Sequence, residues 1–244
     1  MVPSGISAID TLTGGLPRGC LTEICGPASS GRTTLLLAAL AAATRRREFC
    51  AVVDASDALD PHSAAAAGVD LDRLLWVRCG ESSPQKANSP PRPRGTEKKT
   101  NHKDEQMGSH THHHEQRLEQ VLRATDLLLD SGGFGLIVLD VGDLPPQVAR
   151  RIPLTTWFRF RRAVEHTPTM LLAIEQQPIA GSCSSLLLQL RNNKNTDDDP
   201  SLIDTPTHAH LLTGLHINAE LIRSRLERKP ACSVQFASKT AWAG

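Results

Sequence analysis

Short apolar runs alternate with longer amphipathic stretches along most of this chain, and each period predicts one kind of element. Residues 21–25 form an apolar run closed by Gly26-Pro27, and residues 33–47 carry Leu35, Leu36, Leu37 and a series of alanines. That order reads as strand, loop, helix. Residues 50–54 predict a second strand, residues 61–67 an Ala-rich helix, and residues 74–77 a third strand. Leu118, Val121, Leu122, Leu127 and Leu128 then recur at helical spacing before Gly132-Gly133. The run 136–139 predicts a strand ending in Asp140, residues 157–164 a helix, and residues 170–174 a buried strand leading into Glu175-Gln176-Gln177. Residues 215–222 and 233–237 predict a closing hairpin joined by a basic turn over 223–230. Ahead of all these, Ile6, Ile9 and Leu12 predict a short helix followed by a tight turn. Strands alternating with helices predict an α/β fold, a mostly parallel central sheet flanked by helices.

Two stretches break the pattern. Residues 81–115 turn to Pro, Ser, Lys, Asn and His with almost nothing apolar, so they are expected to be a disordered insert. Residues 192–208 are expected to form a flexible polar loop. The remainder, 1–80 and 116–244, is expected to fold as one nucleotide-binding core.

Composition narrows this reading only a little. With five Phe, three Trp and no Tyr, the core must be built mainly from Leu, Ile, Val and Ala. A formal charge of +1 excludes a globally basic nucleic-acid binder, so any basic grip must be local. Three such places stand out: Arg150-Arg151, the run Trp157-Phe158-Arg159-Phe160-Arg161-Arg162, and the turn with Arg223, Arg225, Arg228 and Lys229. Each taken singly reads as an exposed basic face. Cys20, Cys25, Cys50, Cys79, Cys183 and Cys232 show no metal-ligand rhythm and read as buried thiols of a reducing compartment. His102, His110, His112, His113 and His114 lie in the polar insert and read as low-complexity sequence, not as a metal site. No basic-then-apolar leader opens the chain and no apolar run is long enough for a membrane helix, so a cytoplasmic protein is expected.

The chemistry concentrates at Gly26, Pro27, Ala28, Ser29, Ser30, Gly31, Arg32, Thr33 and Thr34. The spacing G-x-x-x-x-G-basic-Thr, set between a strand and a helix, is that of a phosphate-binding loop. Its two glycines let backbone N–H groups turn inward around phosphate oxygens, and the helix start adds the positive end of its dipole. Thr33 offers a hydroxyl to Mg²⁺. Where this motif carries Lys, the chain has Arg32, which keeps the charge but has a bulkier planar head. Asp140, at the end of what is expected to be a neighbouring strand, is the candidate carboxylate for the metal.

Four stretches, in order, resemble the RecA recombinase family: SGISAIDTLTGGLPRGCLTEICGPASSGRTTL, AVVDASDALDPHSAAAAGVDLDRLL, FGLIVLDV and LLAIEQ. The resemblance implies a RecA-type core that binds ATP and Mg²⁺, with Asp140 as the Walker B aspartate and Gln176 as a γ-phosphate sensor. It also implies where this chain departs. Ser56 occupies the position of the family's water-activating glutamate, and a serine cannot act as that base near neutral pH. Ser63 occupies the position of an adenine-stacking aromatic residue. The segments after Asp140 and after Gln176, where RecA-type filaments hold DNA, are short.

Three readings stay open at this point. The first is a RecA-like, ATP-binding DNA-repair protein of recombination or the SOS response, with weak or absent hydrolysis and single-stranded DNA as partner. In the second, the chain is similar to the ImuA proteins, a non-hydrolysing scaffold for translesion polymerase subunits and other repair proteins. The third is a decayed paralogue with no nucleotide role.

Overall fold

The computed structural model describes residues 1–79, 104–192, 214–225 and 232–239. Eight strands form one sheet in the order β3-β2-β4-β5-β1-β6-β7-β8. The strands are β1 (Leu21–Cys25), β2 (Phe49–Asp54), β3 (Leu74–Arg78), β4 (Phe134–Asp140), β5 (Met170–Glu175), β6 (Leu186–Asn192), β7 (Gly214–Ser224) and β8 (Ser233–Lys239). From β3 to β6 every pairing is parallel, and the last three strands pair antiparallel. This is the expected α/β architecture.

The helices are α1 (Ser7–Thr13), α2 (Arg32–Arg45), α3 (Pro61–Ala66), α4 (Asp104–Ser131), α5 (Pro146–Ala149) and α6 (Leu154–Val164). They divide the core in two. On one side Leu35, Leu36 and Leu40 of α2 and Ile9 of α1 pack on Ile24, Val52, Val138, Leu172 and Leu188. The same cluster continues under β7 through Ile217 and Ala219. On the other side Val121 of α4 and Trp157 and Phe160 of α6 cover Leu21, Val53, Ile137 and Leu171. A sheet buried on both faces explains why β1, β2, β4 and β5 read as continuous apolar runs and not as alternating ones.

Asp54 and Asp140 end adjacent strands in register, and Cys25 ends β1 opposite Glu175. The carboxylates and the glycine turn therefore share one end of the sheet, where ligands of open α/β sheets bind. One expectation needs correcting, because β4 does not lie beside β1: β5 intervenes, pairing with both. Apolar runs specify strands but not their order.

The boundaries differ in three further places. Helix α4 starts at Asp104, so 104–115 is helical, whereas the insert 81–115 was expected to be disordered. Glu105, Gln106 and Met107 are good helix formers, and the amphipathic face from Leu118 onward supplies the packing through which a helix can propagate backwards. Residues 80–103 lie outside the described residues. Of the polar loop expected over 192–208, Asn192 closes β6 and the rest lies outside the described residues. Arg223 belongs to β7 and not to the basic turn, whose residues 226–230 are likewise outside.

All six cysteines are free thiols. Cys25, Cys50, Cys79 and Cys183 are buried as expected, but Cys20 is only half-buried and Cys232 is exposed. Among the described residues no His, Cys, Asp and Glu side chains cluster as a metal site, and no helix is long and apolar enough to cross a membrane.

Candidate nucleotide-binding cleft

The turn between β1 and α2 is set by two close approaches. A side chain at Gly26 would run into the Leu190 carbonyl and Ser30, and one at Gly31 into Ile217. Gly31 also has φ +93°, a conformation that L side chains rarely adopt. The turn is thus seated directly on β6 and β7. The amide of Gly26 donates to the Glu175 carbonyl at 3.2 Å, which ties the turn to the end of β5.

Gly31 is the N-cap of α2, and no side chain caps that end. The first-turn amides of a helix have no partner within it, so the start of α2 presents free donors and a dipole to an anion. Pro27, Ala28 and Ser29 are exposed, as is Thr33. Ser29 holds φ +60°, which turns the chain there without a glycine. Ser30 is buried, and its Oγ has no hydrogen-bond partner. These are properties expected of a turn that receives phosphate, and the donor set fits one.

Arg32 behaves differently from a phosphate-facing lysine. Its Nη1 donates to the Gly142 carbonyl at 2.9 Å, and its Nη2 lies 3.7 Å from Asp143 Oδ1. Only 10% of the side chain is exposed. The guanidinium thus bridges the head of α2 to the turn after β4. Asp140 Oδ1 accepts the Gly142 amide at 2.9 Å. A side chain at Gly142 would meet both Arg32 and Asp140, so the three groups are in close quarters. Arg32, Thr33, Asp140, Gly142 and Asp143 line a small cleft of about 40 Å³, together with Leu59.

Burial raises the Asp140 carboxyl to about 6, with the Gly142 amide and Arg32 pulling it down and Asp54 and Asp143 adding to the rise. Asp54 is itself buried and fully engaged. Its Oδ1 accepts from the Ser56 amide at 3.0 Å, and its Oδ2 from the Leu59 amide at 2.9 Å and Trp76 Nε1 at 3.2 Å.

The structure therefore brings Arg32, Thr33 and Asp140 together and leaves two other candidates apart. Ser56 does not line the cleft. Gln176 Nε2 donates to the Leu144 carbonyl at 3.2 Å and lines a different hollow, with Glu175, Gln177 and Arg150. Ser63 is exposed on α3, its Oγ donating to Asp60 at 2.6 Å. Asp57, half-buried, is taken up by a two-pronged pair with Arg78 at 2.5–2.6 Å.

Sequence reasoning missed Asp143, Asp54 and Glu23. Asp143 follows Asp140 in a turn rich in Gly and Pro, where an acidic residue looks like turn chemistry. Glu23 sits in mid-strand β1 with none of its surface exposed. Its Oε1 accepts the amides of Ile179 at 2.6 Å and Ala180 at 2.8 Å, and its Oε2 accepts Ser184 Oγ at 2.8 Å. The Ile179 amide also reaches Glu175 Oε2 at 3.1 Å, so two buried carboxyl groups converge on one N–H. The segment after β5 is pinned down by these bonds.

The fold also gathers the basic stretches. Arg223 Nη2 donates to Ser184 Oγ at 2.8 Å, the Arg225 amide donates to the Ser185 carbonyl at 2.9 Å, and Arg161, Arg223 and Arg225 all act electrostatically on the Cys183 thiol. Arg161 also lies over the exposed Phe158 ring, 5.9 Å from its centre.

These features define an α/β protein with a RecA-type fold. The chain is similar in fold to the crystal structure of the RadB recombinase, with a TM-score of 0.60, 17% identity, and 97% and 95% of the two chains covered. The family model of the RecA N-terminal domain matches residues 1–86. Protein RecA of Leifsonia xyli subsp. xyli is 37% identical over 142 residues, which is 57% of this chain and 30% of that one. Protein RecA of Symbiobacterium thermophilum is 51% identical over 77 residues, 31% of this chain and 22% of that one. The chain thus resembles RecA proteins in sequence over its N-terminal part, and these matches span at most about a third of the relatives' length.

Proposed function

We propose that this chain binds ATP or ADP with Mg²⁺ at Gly26 to Thr34, hydrolyses ATP slowly or not at all, and serves DNA recombination and repair. One observation carries this reading: Thr33, Asp140 and the uncapped start of α2 meet at a single cleft. The amides of the turn would hold the phosphates, and the Thr33 hydroxyl and Asp140 would hold the metal. When bound, the metal supplies positive charge against the phosphate oxygens. The two positions singled out for γ-phosphate chemistry are not poised for it. Ser56 cannot activate water and lies outside the cleft, and the Gln176 amide is engaged by Leu144.

A second reading, a scaffold that recruits translesion polymerase subunits, is favoured by the segment after β5. A segment pinned to Glu23 through Ile179, Ala180 and Ser184 is poorly suited to close on DNA. On this reading any contact with single-stranded DNA falls to Arg161, which lies over the exposed Phe158 ring and so pairs a cation with a stacking surface.

Thermal shift with Mg-nucleotide, and phosphate release with and without single-stranded DNA, test these readings. Stabilisation by nucleotide with negligible release is expected. DNA-stimulated release would overturn the non-hydrolysing reading, and no shift with any nucleotide would overturn nucleotide binding itself.

A further inference from the structure

In loops of this type a lysine ammonium reaches the β- and γ-phosphates as a compact, mobile charge. Arg32 occupies that position with its head turned to the segment after β4. Nη1 is on the Gly142 carbonyl at 2.9 Å, Nη2 faces Asp143 at 3.7 Å, and the side chain is nearly buried. Turning the guanidinium towards a terminal phosphate would break its bond to the Gly142 carbonyl and draw it away from Asp143, leaving that carboxylate facing the incoming anion. The start of α2 and the exposed Thr33 make no such demand, because no side chain caps that end of the helix.

We propose that the cleft selects a nucleoside diphosphate over a nucleoside triphosphate, with Arg32, Gly142 and Asp143 acting as a latch across the position a terminal phosphate would need. The proposal rests on the nucleotide-binding reading above and deepens it by naming the ligand class. A diphosphate draws its affinity from the amide cradle, which the latch leaves open. A triphosphate gains little from Arg32 unless the latch breaks.

Competition binding tests this with Mg-ADP and a non-hydrolysable Mg-ATP analogue on the full chain. The diphosphate is expected to bind at least about tenfold more tightly, the equivalent of one charge-assisted hydrogen bond forgone. Asp143→Asn, at an exposed turn position, weakens the latch, and Arg32→Lys removes its fork; both should bring the affinity ratio towards one. Equal or tighter binding of the analogue by the unaltered chain would sink the latch alone, as would an unchanged ratio in both variants. Binding of neither nucleotide would sink the latch together with the nucleotide-binding reading.

Discussion

At the scale of single residues, Asp140 has to ionise before it can hold a metal, and burial has raised its carboxyl to about 6. Magnesium-dependent nucleotide affinity should therefore climb as pH rises through about 6 and level off above it. A pH series of binding isotherms checks this, and Asp140→Asn should abolish the slope. The sign for stability without ligand is opposite. A carboxyl raised above its unfolded value contributes fully below that value and loses its contribution as pH rises through the folded one. Glu175 follows the same rule more strongly, because burial first and the Glu23 carboxyl second hold it well above the usual carboxylate range. Glu175→Gln, which mimics the neutral acid, should flatten the loss of melting temperature between acid and neutral pH. An unchanged profile would show that Glu175 is not the group behind that loss. At Ser56 and Arg32, the double change Ser56→Glu with Arg32→Lys should raise phosphate release from its basal level. Release that stays flat would show that the defect lies elsewhere than in these two side chains.

At the scale of elements, the apolar periods were a good guide where a strand or helix buries most of its surface. The run 21–25 and the helix after the glycine turn are where the pattern puts them, because both are core on nearly every side. The pattern was silent on contact between elements. Gly31 carries a motif reason in the sequence, but its packing reason, the side chain of Ile217 from a strand far downstream, becomes visible only in three dimensions. Gly31→Ala should lower stability by about 1–3 kcal/mol through backbone strain and overpacking. Ile217→Ala alone opens a cavity and should cost about 2–5 kcal/mol. Combined, the two should be less damaging than their sum, because the smaller side chain at 217 makes room for the new methyl group. Denaturant unfolding of the three variants checks this, and strict additivity would mean that the two sites do not touch.

At the scale of the whole molecule, the fold class followed from alternating strands and helices, and the strand order did not. That β5 lies between the glycine-turn strand and the Asp140 strand follows from crossovers that no local pattern encodes. Arg32 shows the same gap at the site. Its charge and spacing were plain in the sequence, yet the direction of its head depends on Gly142 and Asp143, over a hundred positions away. Asp140 and Thr33 were recognisable because a strand end and a helix start fix them locally. Glu23 was not, since a carboxylate inside an apolar strand has meaning only once the segment 179–184 folds over it.

The bond from the Gly26 amide to the Glu175 carbonyl carries this last point into protein engineering. It hinges the ligand turn on the very residue whose side chain meets Glu23 in the interior. Transplanting a relative's turn as a cassette, residues 26–34 alone, would leave the hybrid anchored to this chain's buried acid pair. A faithful graft has to carry positions 23 and 175 along with the loop.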